Sequence, residues 1–170
     1  RIRREIARSI TRKLKCPLIY ANQVGGNDEL IFDGQSFALD RNGEFIALAE
    51  GFAEDCLVFD IETSAIAPPG PIDDTRNLHD ALVLGTRDCV LKSTGKPSVL
   101  VALSGGIDSA VTACIACRAL GPEHVCGVGM PSAFSSEGSV ADARQLSKNL
   151  GIRFDLIPIG PAYDTFGKIL

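Results

Sequence analysis

The chain has 170 residues, of which 45% are hydrophobic and 22% charged, a balance typical of globular domains. Its net charge is −4, and seven of the 17 Lys and Arg residues but only one of the 21 Asp and Glu residues lie in residues 1–15. The acidic remainder argues against general nucleic-acid binding, and no apolar run approaches the roughly 18 residues that a membrane span requires.

The first part of the chain, residues 1–64, is predicted to be a helix followed by mainly antiparallel strands. Ile2, Ile6, Ile10 and Leu14 recur every four residues and predict a helix that packs this apolar stripe on a sheet, with Arg and Lys on its other faces. The Asn-Gly pair in 40–43 predicts a hairpin turn between two strands. Strands are predicted at 18–21, 30–32, 36–39, 45–49 and 56–61, and a loop at 23–29.

A proline-rich stretch divides the sequence, since it can continue neither a helix nor a central strand. It predicts a linker at 65–77 between a domain at 1–64 and a second at 78–170. In the second domain, helices are predicted at 78–92 and 107–120, and a third helix is opened by Ser139 and Asp142 as a capping box. Strands are predicted at 99–103, 125–130 and 152–159. This alternation predicts an α/β domain with a parallel sheet.

The second domain contains the most informative stretch, a buried strand running into Ser104-Gly105-Gly106-Ile107-Asp108-Ser109 and then a helix. A small-residue turn at a helix start aims unpaired backbone N–H groups at one point and places the positive end of the helix dipole behind them. This pattern predicts a phosphate site. The Walker pattern G-x-x-x-x-G-K-[ST] is absent.

Asp108 refines that prediction, because a carboxylate beside phosphates would repel them in a dry cleft. A divalent cation resolves the conflict, and we therefore interpret Asp108 as a Mg²⁺ ligand. A second hydroxyl-rich loop, residues 131–136, follows the next strand. Because ligands bind at the carboxyl ends of parallel strands, both loops are expected to line one site.

Six cysteines fit no regular disulfide or zinc spacing, and most are expected to be buried free thiols. Cys114 and Cys117 form a C-x-x-C inside a predicted helix, where packing is favoured over redox chemistry.

These residues carry a family resemblance. The stretch from Leu103 to Ala110 resembles the S-G-G-x-D-S loop of the N-type ATP pyrophosphatases. Within that superfamily, Met130-Pro131-Ser132, Phe134 to Ser139 and Asn149 to Ile152 resemble NAD synthetase. Upstream, Tyr20 to Leu30 and Phe32-Asp33-Gly34 resemble the nitrilase-like glutaminase domain of glutamine-dependent NAD synthetases.

The resemblance implies the end of a nitrilase-like αββα sandwich followed by a doubly wound, Rossmann-like parallel-sheet domain. It implies amidation of nicotinic acid adenine dinucleotide to NAD through an adenylated intermediate, with ATP and Mg²⁺, and ammonia supplied by glutamine hydrolysis. It also implies a cytoplasmic homo-oligomer that binds neither nucleic acid nor membrane. By the same resemblance, Asp108 holds the metal, Arg3 or Arg4 binds glutamine, and ATP is bound by Leu103, Ser104, Gly105, Gly106, Ile107, Asp108, Ser109 and Met130.

The glutaminase Glu, Lys and Cys of the family match no residue of this sequence, so we expect a fragment that is inactive alone and holds no catalytic residue. Two alternatives remain open. One is another amidotransferase-coupled ATP pyrophosphatase, of the GMP or asparagine synthetase type. The other is a non-catalytic nucleotide-binding module.

Overall fold

The computed structural model describes residues 2–67, 69–70, 73–132 and 135–169, apart from the side chain of Glu137. The chain divides into two compact units, residues 1–85 and 86–170. The boundary lies inside one long helix, α2 (Asp74–Thr94), which begins four residues before the helix predicted at 78–92. The predicted division into 1–64, 65–77 and 78–170 stays a prediction.

The described part of the first unit contains one helix besides the start of α2, together with two antiparallel sheets. The sheets are a three-stranded one in the order β1-β4-β5 and a two-stranded ribbon of β2 and β3. Its elements before α2 are α1 (Ile2–Leu14), β1 (Leu18–Tyr20), β2 (Val24–Asn27), β3 (Leu30–Asp33), β4 (Phe37–Leu39) and β5 (Phe45–Leu48).

The β4–β5 hairpin confirms the prediction made from Asn42-Gly43. Gly43 has a φ of 83°, a left-handed conformation that glycine adopts without strain. The Asp40 side chain also fixes the turn, because its Oδ1 accepts hydrogen bonds from the N–H groups of Asn42 (2.8 Å) and Glu44 (2.7 Å).

Helix α1 packs with the face next to the predicted one. Its apolar stripe is exposed, from 40% at Ile10 to 72% at Ile2, whereas Ala7 and Thr11 are buried. These small residues let the helix lie close to the sheet, and arginines complete the contact. Arg8 Nε donates to the carbonyl of Gly43 (3.1 Å), and the Arg8 guanidinium lies 5.1 Å from the Phe45 ring centroid. The predicted packing of the stripe on a sheet is therefore wrong.

Two strand predictions in this unit are also wrong. The loop predicted at 23–29 contains β2, in which Gly25 and Gly26 pair with Phe32 and Ile31. The glycine pair suggested a turn, but cross-strand pairing outweighs that local preference. No strand forms at 56–61, because only Phe59 of that segment packs against a buried cluster, that of Ala38, Ile46 and Ala47.

The second unit confirms the predicted parallel sheet. Three strands lie in the order β6-β7-β8, with Val99 opposite Val125 and Cys126 opposite Arg153. Its elements after α2 are β6 (Val99–Ala102), α3 (Ile107–Leu120), a 3₁₀ turn (Pro122–His124), β7 (Val125–Gly129), α4 (Glu137–Leu150), β8 (Arg153–Leu156) and α5 (Gly160–Ile169).

Small residues bring the helices close to this sheet. Ala113 of α3 and Ala143 of α4 are buried in one cluster with Val101, Leu103 and Val125. The sheet thus presents the carboxyl ends of β6 and β7 to the first turns of α3 and α4. Among the described residues, no helix is both long and apolar enough to cross a membrane.

Helix α4 starts earlier than its predicted capping box at Ser139 and Asp142. Its N-cap is Ser136, whose Oγ accepts the backbone N–H of Ser139, and the helix begins at Glu137. Gly151 closes it in a left-handed conformation, as expected of a C-terminal glycine. The helix starts earlier than predicted because Ser136, and not Ser139, accepts a hydrogen bond from an N–H group of the first turn.

All six cysteines are free thiols, but four of them are exposed, so the expectation that most are buried is wrong. Cys117 packs against the core of the second unit. Burial raises the pKa of the Cys117 thiol, and the neighbouring Cys114 raises it further. A raised pKa disfavours the reactive thiolate, which agrees with a packing role for Cys117, whereas Cys114 is exposed.

Candidate functional site

A glycine turn joins β6 to α3 and contacts the start of α4. Gly105 has a φ of 82°, in the left-handed region. A Cβ atom at this position would lie 2.4 Å from the carbonyl oxygen and 2.7 Å from the Cα of Ser139. The turn therefore requires glycine for two reasons, backbone conformation and close approach to α4.

Two serine hydroxyls brace this turn. Ser109 Oγ donates to the carbonyl of Gly106 (3.0 Å) and accepts the N–H of Ser104 (3.3 Å), while Ser104 Oγ accepts the N–H of Gly106 (3.3 Å). The two hydroxyl oxygens lie 3.2 Å apart. These bonds within the loop fix its shape, and a preorganised loop binds a ligand at a lower entropic cost.

The start of α3 is open to an anion. Its N-cap is Gly106, and among the described residues no side-chain cap bonds to this helix, in contrast to α4 with its serine cap. Exposed N–H groups at the positive end of a helix dipole bind phosphate oxygens. This helix start suits an anion, and phosphate binding by the loop stays a prediction.

Asp108 lies on the first turn of α3 and is exposed. Within the ranges that the structure describes, its carboxylate makes no hydrogen bond or ion pair, and no group of three metal-ligating side chains occurs. Mg²⁺ at phosphate sites commonly uses one or two carboxylates, with water and phosphate oxygens as its other ligands. A single free carboxylate beside a phosphate loop fits such an ion.

The predicted ATP residues border two cavities, each of about 360 Å³, that share Leu103 and Ala143. Gly105, Gly106, Ile107 and Ser109 line one, together with Asp142 and Leu146. Asp108 is among the lining residues of neither. The other cavity is lined by the ends of β6 and β7, by the second loop and by α4: Ala102, Leu103, Ser104, Gly129, Met130, Pro131, Ser135, Ser136, Ser139, Val140 and Ala143.

Sequence reasoning missed part of this second lining. It placed loop 131–136 at the site but assigned no site role to Ser139, Val140 or Ala143. The sequence did contain a pattern that predicts their position: they lie in the first turns of α4, directly after the serine loop. Phe134 of that loop lies outside the described residues.

Arg3 and Arg4, predicted to bind glutamine, lie in the first unit with partners of their own. Arg3 makes two hydrogen bonds to the Asp33 carboxylate, at 2.7 and 2.6 Å, and this pairing raises the pKa of Arg3. Arg4 donates to Gln35 Oε1 at 2.8 Å, and burial followed by repulsion from Arg3 lowers the pKa of Arg4. Glutamine binding by these side chains stays a prediction.

We expect Arg3→Ala to lower the free energy of unfolding of the first unit by about 1 to 2 kcal/mol, because it leaves the half-buried Asp33 carboxylate without its bidentate partner. Thermal unfolding of the full-length protein measures this effect. Lys13→Ala, an exposed change on the same helix, is the matched control and should shift the melting temperature little. A raised KM for glutamine with an unchanged melting temperature would instead assign Arg3 to glutamine binding.

Comparison with known proteins identifies a family whose model matches the part of the chain that contains the glycine loop, and solved structures with a similar fold. Residues 78–170 match the family model described as NAD synthase. Over 99% of its length the chain is 43% identical to a glutamine-dependent NAD(+) synthetase of Synechocystis sp., and it spans 31% of that protein. A solved glutamine-dependent NAD+ synthetase of Acinetobacter baumannii, in complex with adenosine diphosphate, matches 99% of the chain, which covers 33% of it, with 37% identity and a TM-score of 0.90.

A smaller solved relative matches only part of the chain. An NH3-dependent NAD synthetase of Campylobacter jejuni shares 31% identity over 58% of the chain, which covers 42% of that protein, with a TM-score of 0.52. The chain spans about a third of the length of the glutamine-dependent relatives described above. The glycine loop lies within the residues that match the family model.

Proposed function

The chain belongs to the NAD synthase family, and from that premise we propose that it is part of a glutamine-dependent NAD synthetase. The longer protein uses ATP to amidate the nicotinate carboxylate of nicotinic acid adenine dinucleotide, with ammonia from glutamine hydrolysis. The observation that carries this proposal is the uncapped start of α3 behind the braced loop that Gly105 shapes.

The loop residues have distinct roles in this reaction. Ser104, Gly105, Gly106 and Ser109 hold the phosphates at the start of α3, where the positive end of the helix dipole favours negative charge. A bound Mg²⁺, held through Asp108, would supply charge neutralisation. The substrate carboxylate attacks the α-phosphate in line, pyrophosphate leaves, and ammonia then displaces AMP. Such a reaction depends on positioning and electrostatics and requires no protein nucleophile.

The adenosine part of ATP is proposed to occupy the cavity beside Met130. That cavity combines an apolar wall with four serines, as expected of a site for a base and its ribose. Leu103 and Ile107, the other residues predicted to bind ATP, flank the loop at its strand and helix ends. The ADP held by the A. baumannii relative supports an adenine nucleotide as the ligand.

For the first unit we propose the closing part of a nitrilase-like αββα glutaminase domain. Support comes from the 99% coverage of the chain by glutamine-dependent relatives, compared with 58% by the NH3-dependent one. Because no residue here matches the glutaminase Glu, Lys and Cys, the 170 residues alone should hydrolyse no glutamine. We further propose that the longer protein forms a homo-oligomer.

The test is an assay of the full-length protein with Mg-ATP, nicotinic acid adenine dinucleotide and either glutamine or ammonium, with NAD and AMP measured. We expect NAD and AMP in equal amounts from both nitrogen donors. AMP formation with xanthosine monophosphate or aspartate but not with the dinucleotide would favour the other amidotransferases. Binding of Mg-ATP without AMP formation would favour a non-catalytic module.

A further inference from the structure

A second pair of serines lies at the start of α4, outside the glycine loop. Ser136 and Ser139 line the same cavity as Ser104, and their hydroxyl oxygens are 2.8 Å apart. Ser136 Oγ also accepts the N–H of Ser139 at 3.1 Å. The cap of α4 and the wall of the cavity are thus built by the same pair.

The two hydroxyls of this pair have one O–H donor more than their mutual hydrogen bond uses. Two hydroxyls carry two protons, and a single contact between the oxygens uses one of them. Either hydroxyl can be the donor of that contact, and where Ser136 donates to Ser139, the Ser139 proton is left for a ligand. In the part of the chain that the structure describes, neither hydroxyl has another recorded partner.

The position of Ser139 indicates which part of a nucleotide would take this proton. Its backbone is in contact with Gly105, as the 2.4 Å separation for a Cβ at that glycine shows. The glycine loop is the proposed phosphate-binding element, and Ser139 lies in the first turn of α4, where the helix dipole also favours negative charge. Ser139 therefore lies where the cavity proposed for adenosine meets the glycine loop, which is the place where the phosphate chain would join the adenosine.

We propose that Ser139 donates a hydrogen bond to a phosphate oxygen of ATP and so holds the phosphate chain from α4 while the glycine loop holds it from α3. This assignment rests on the proposed function, because it deepens the same nucleotide site. Ser136 acts only as the cap that positions α4. The two serines therefore have separable roles.

Ser139→Ala and Ser136→Ala in the full-length protein test this assignment. Ser139→Ala keeps the backbone N–H that the cap binds, so the melting temperature should stay unchanged, whereas Ser136→Ala removes the cap and should lower it. Ser139→Ala should raise the KM for ATP and the inhibition constant for inorganic pyrophosphate by the same factor, about tenfold, with kcat nearly constant. Ser139→Thr, which keeps the hydroxyl, should restore both constants.

Other outcomes overturn the assignment in distinguishable ways. A raised KM for ATP with unchanged inhibition by pyrophosphate would place Ser139 on the adenosine. No change in either constant would remove it from the nucleotide site. If the wild-type protein neither consumed ATP nor bound pyrophosphate, the proposed function itself would fail, and this assignment with it.

Discussion

Replacing Asp108 with Asn should reduce NAD formation by the full-length protein at least about 100-fold at saturating substrate and Mg²⁺. The change keeps the size of the side chain and removes only the charge. Loss of a carboxylate metal ligand withdraws neutralisation from the phosphates at the step where pyrophosphate leaves, an effect of several kcal/mol in metal-assisted reactions. Steady-state rates measured over a range of Mg²⁺ concentrations check this, and the Mg²⁺ requirement should also rise.

Asp74→Asn is the matched control, because Asp74 is also an acidic residue in the first turn of a helix. Any effect that comes only from the helix dipole should appear in both variants, at about 0.3 to 1 kcal/mol of stability. We expect both variants to lose this small amount of stability, but only Asp108→Asn to lose activity. If Asp108→Asn retained activity within a few-fold of wild type, its interpretation as a metal ligand would be wrong.

The second unit was predictable because its local signals agree with its packing. The apolar strands, the glycine turn and the helix at 107–120 all appear where they were predicted. The family match over residues 78–170 confirms the resemblance to NAD synthetase that was read from segments within 130–152. What sequence could not provide was the contact of Gly105 with Ser139, since it joins residues 34 positions apart through tertiary packing.

The first unit was less predictable, because long-range pairing decides it. The glycines of β2 have a local preference for a turn, yet they pair with β3. In α1 the regular stripe of Ile and Leu predicted the buried face, but Ala7 packs in the aromatic cluster of the sheet, and the guanidinium groups of Arg4 and Arg8 lie over the Phe45 ring. A hydrophobic pattern identifies an apolar face of a helix without identifying which neighbour covers it.

Gly105→Ala should abolish activity nearly as fully as Asp108→Asn while leaving the protein folded. The new methyl would meet the Ser139 backbone at 2.4 Å, so the loop or the first turn of α4 must shift. The left-handed backbone adds about 1 to 2 kcal/mol of strain for any residue with a Cβ. Because phosphates require donors placed within a few tenths of an ångström, we expect at least about a 100-fold loss in kcat/KM for ATP.

Gly151→Ala separates strain from contact. Gly151 also has a left-handed φ, of 70°, but a Cβ there meets no atom within 4 Å. A non-glycine residue in that conformation costs about 1 kcal/mol of the free energy of unfolding. The variant should therefore melt at a lower temperature but keep normal activity. If the two variants lost stability equally and both kept activity, close packing of the loop on α4 would have no part in ATP binding. If only Gly105→Ala loses activity at a similar melting temperature, the contact with Ser139 holds the loop in its working shape.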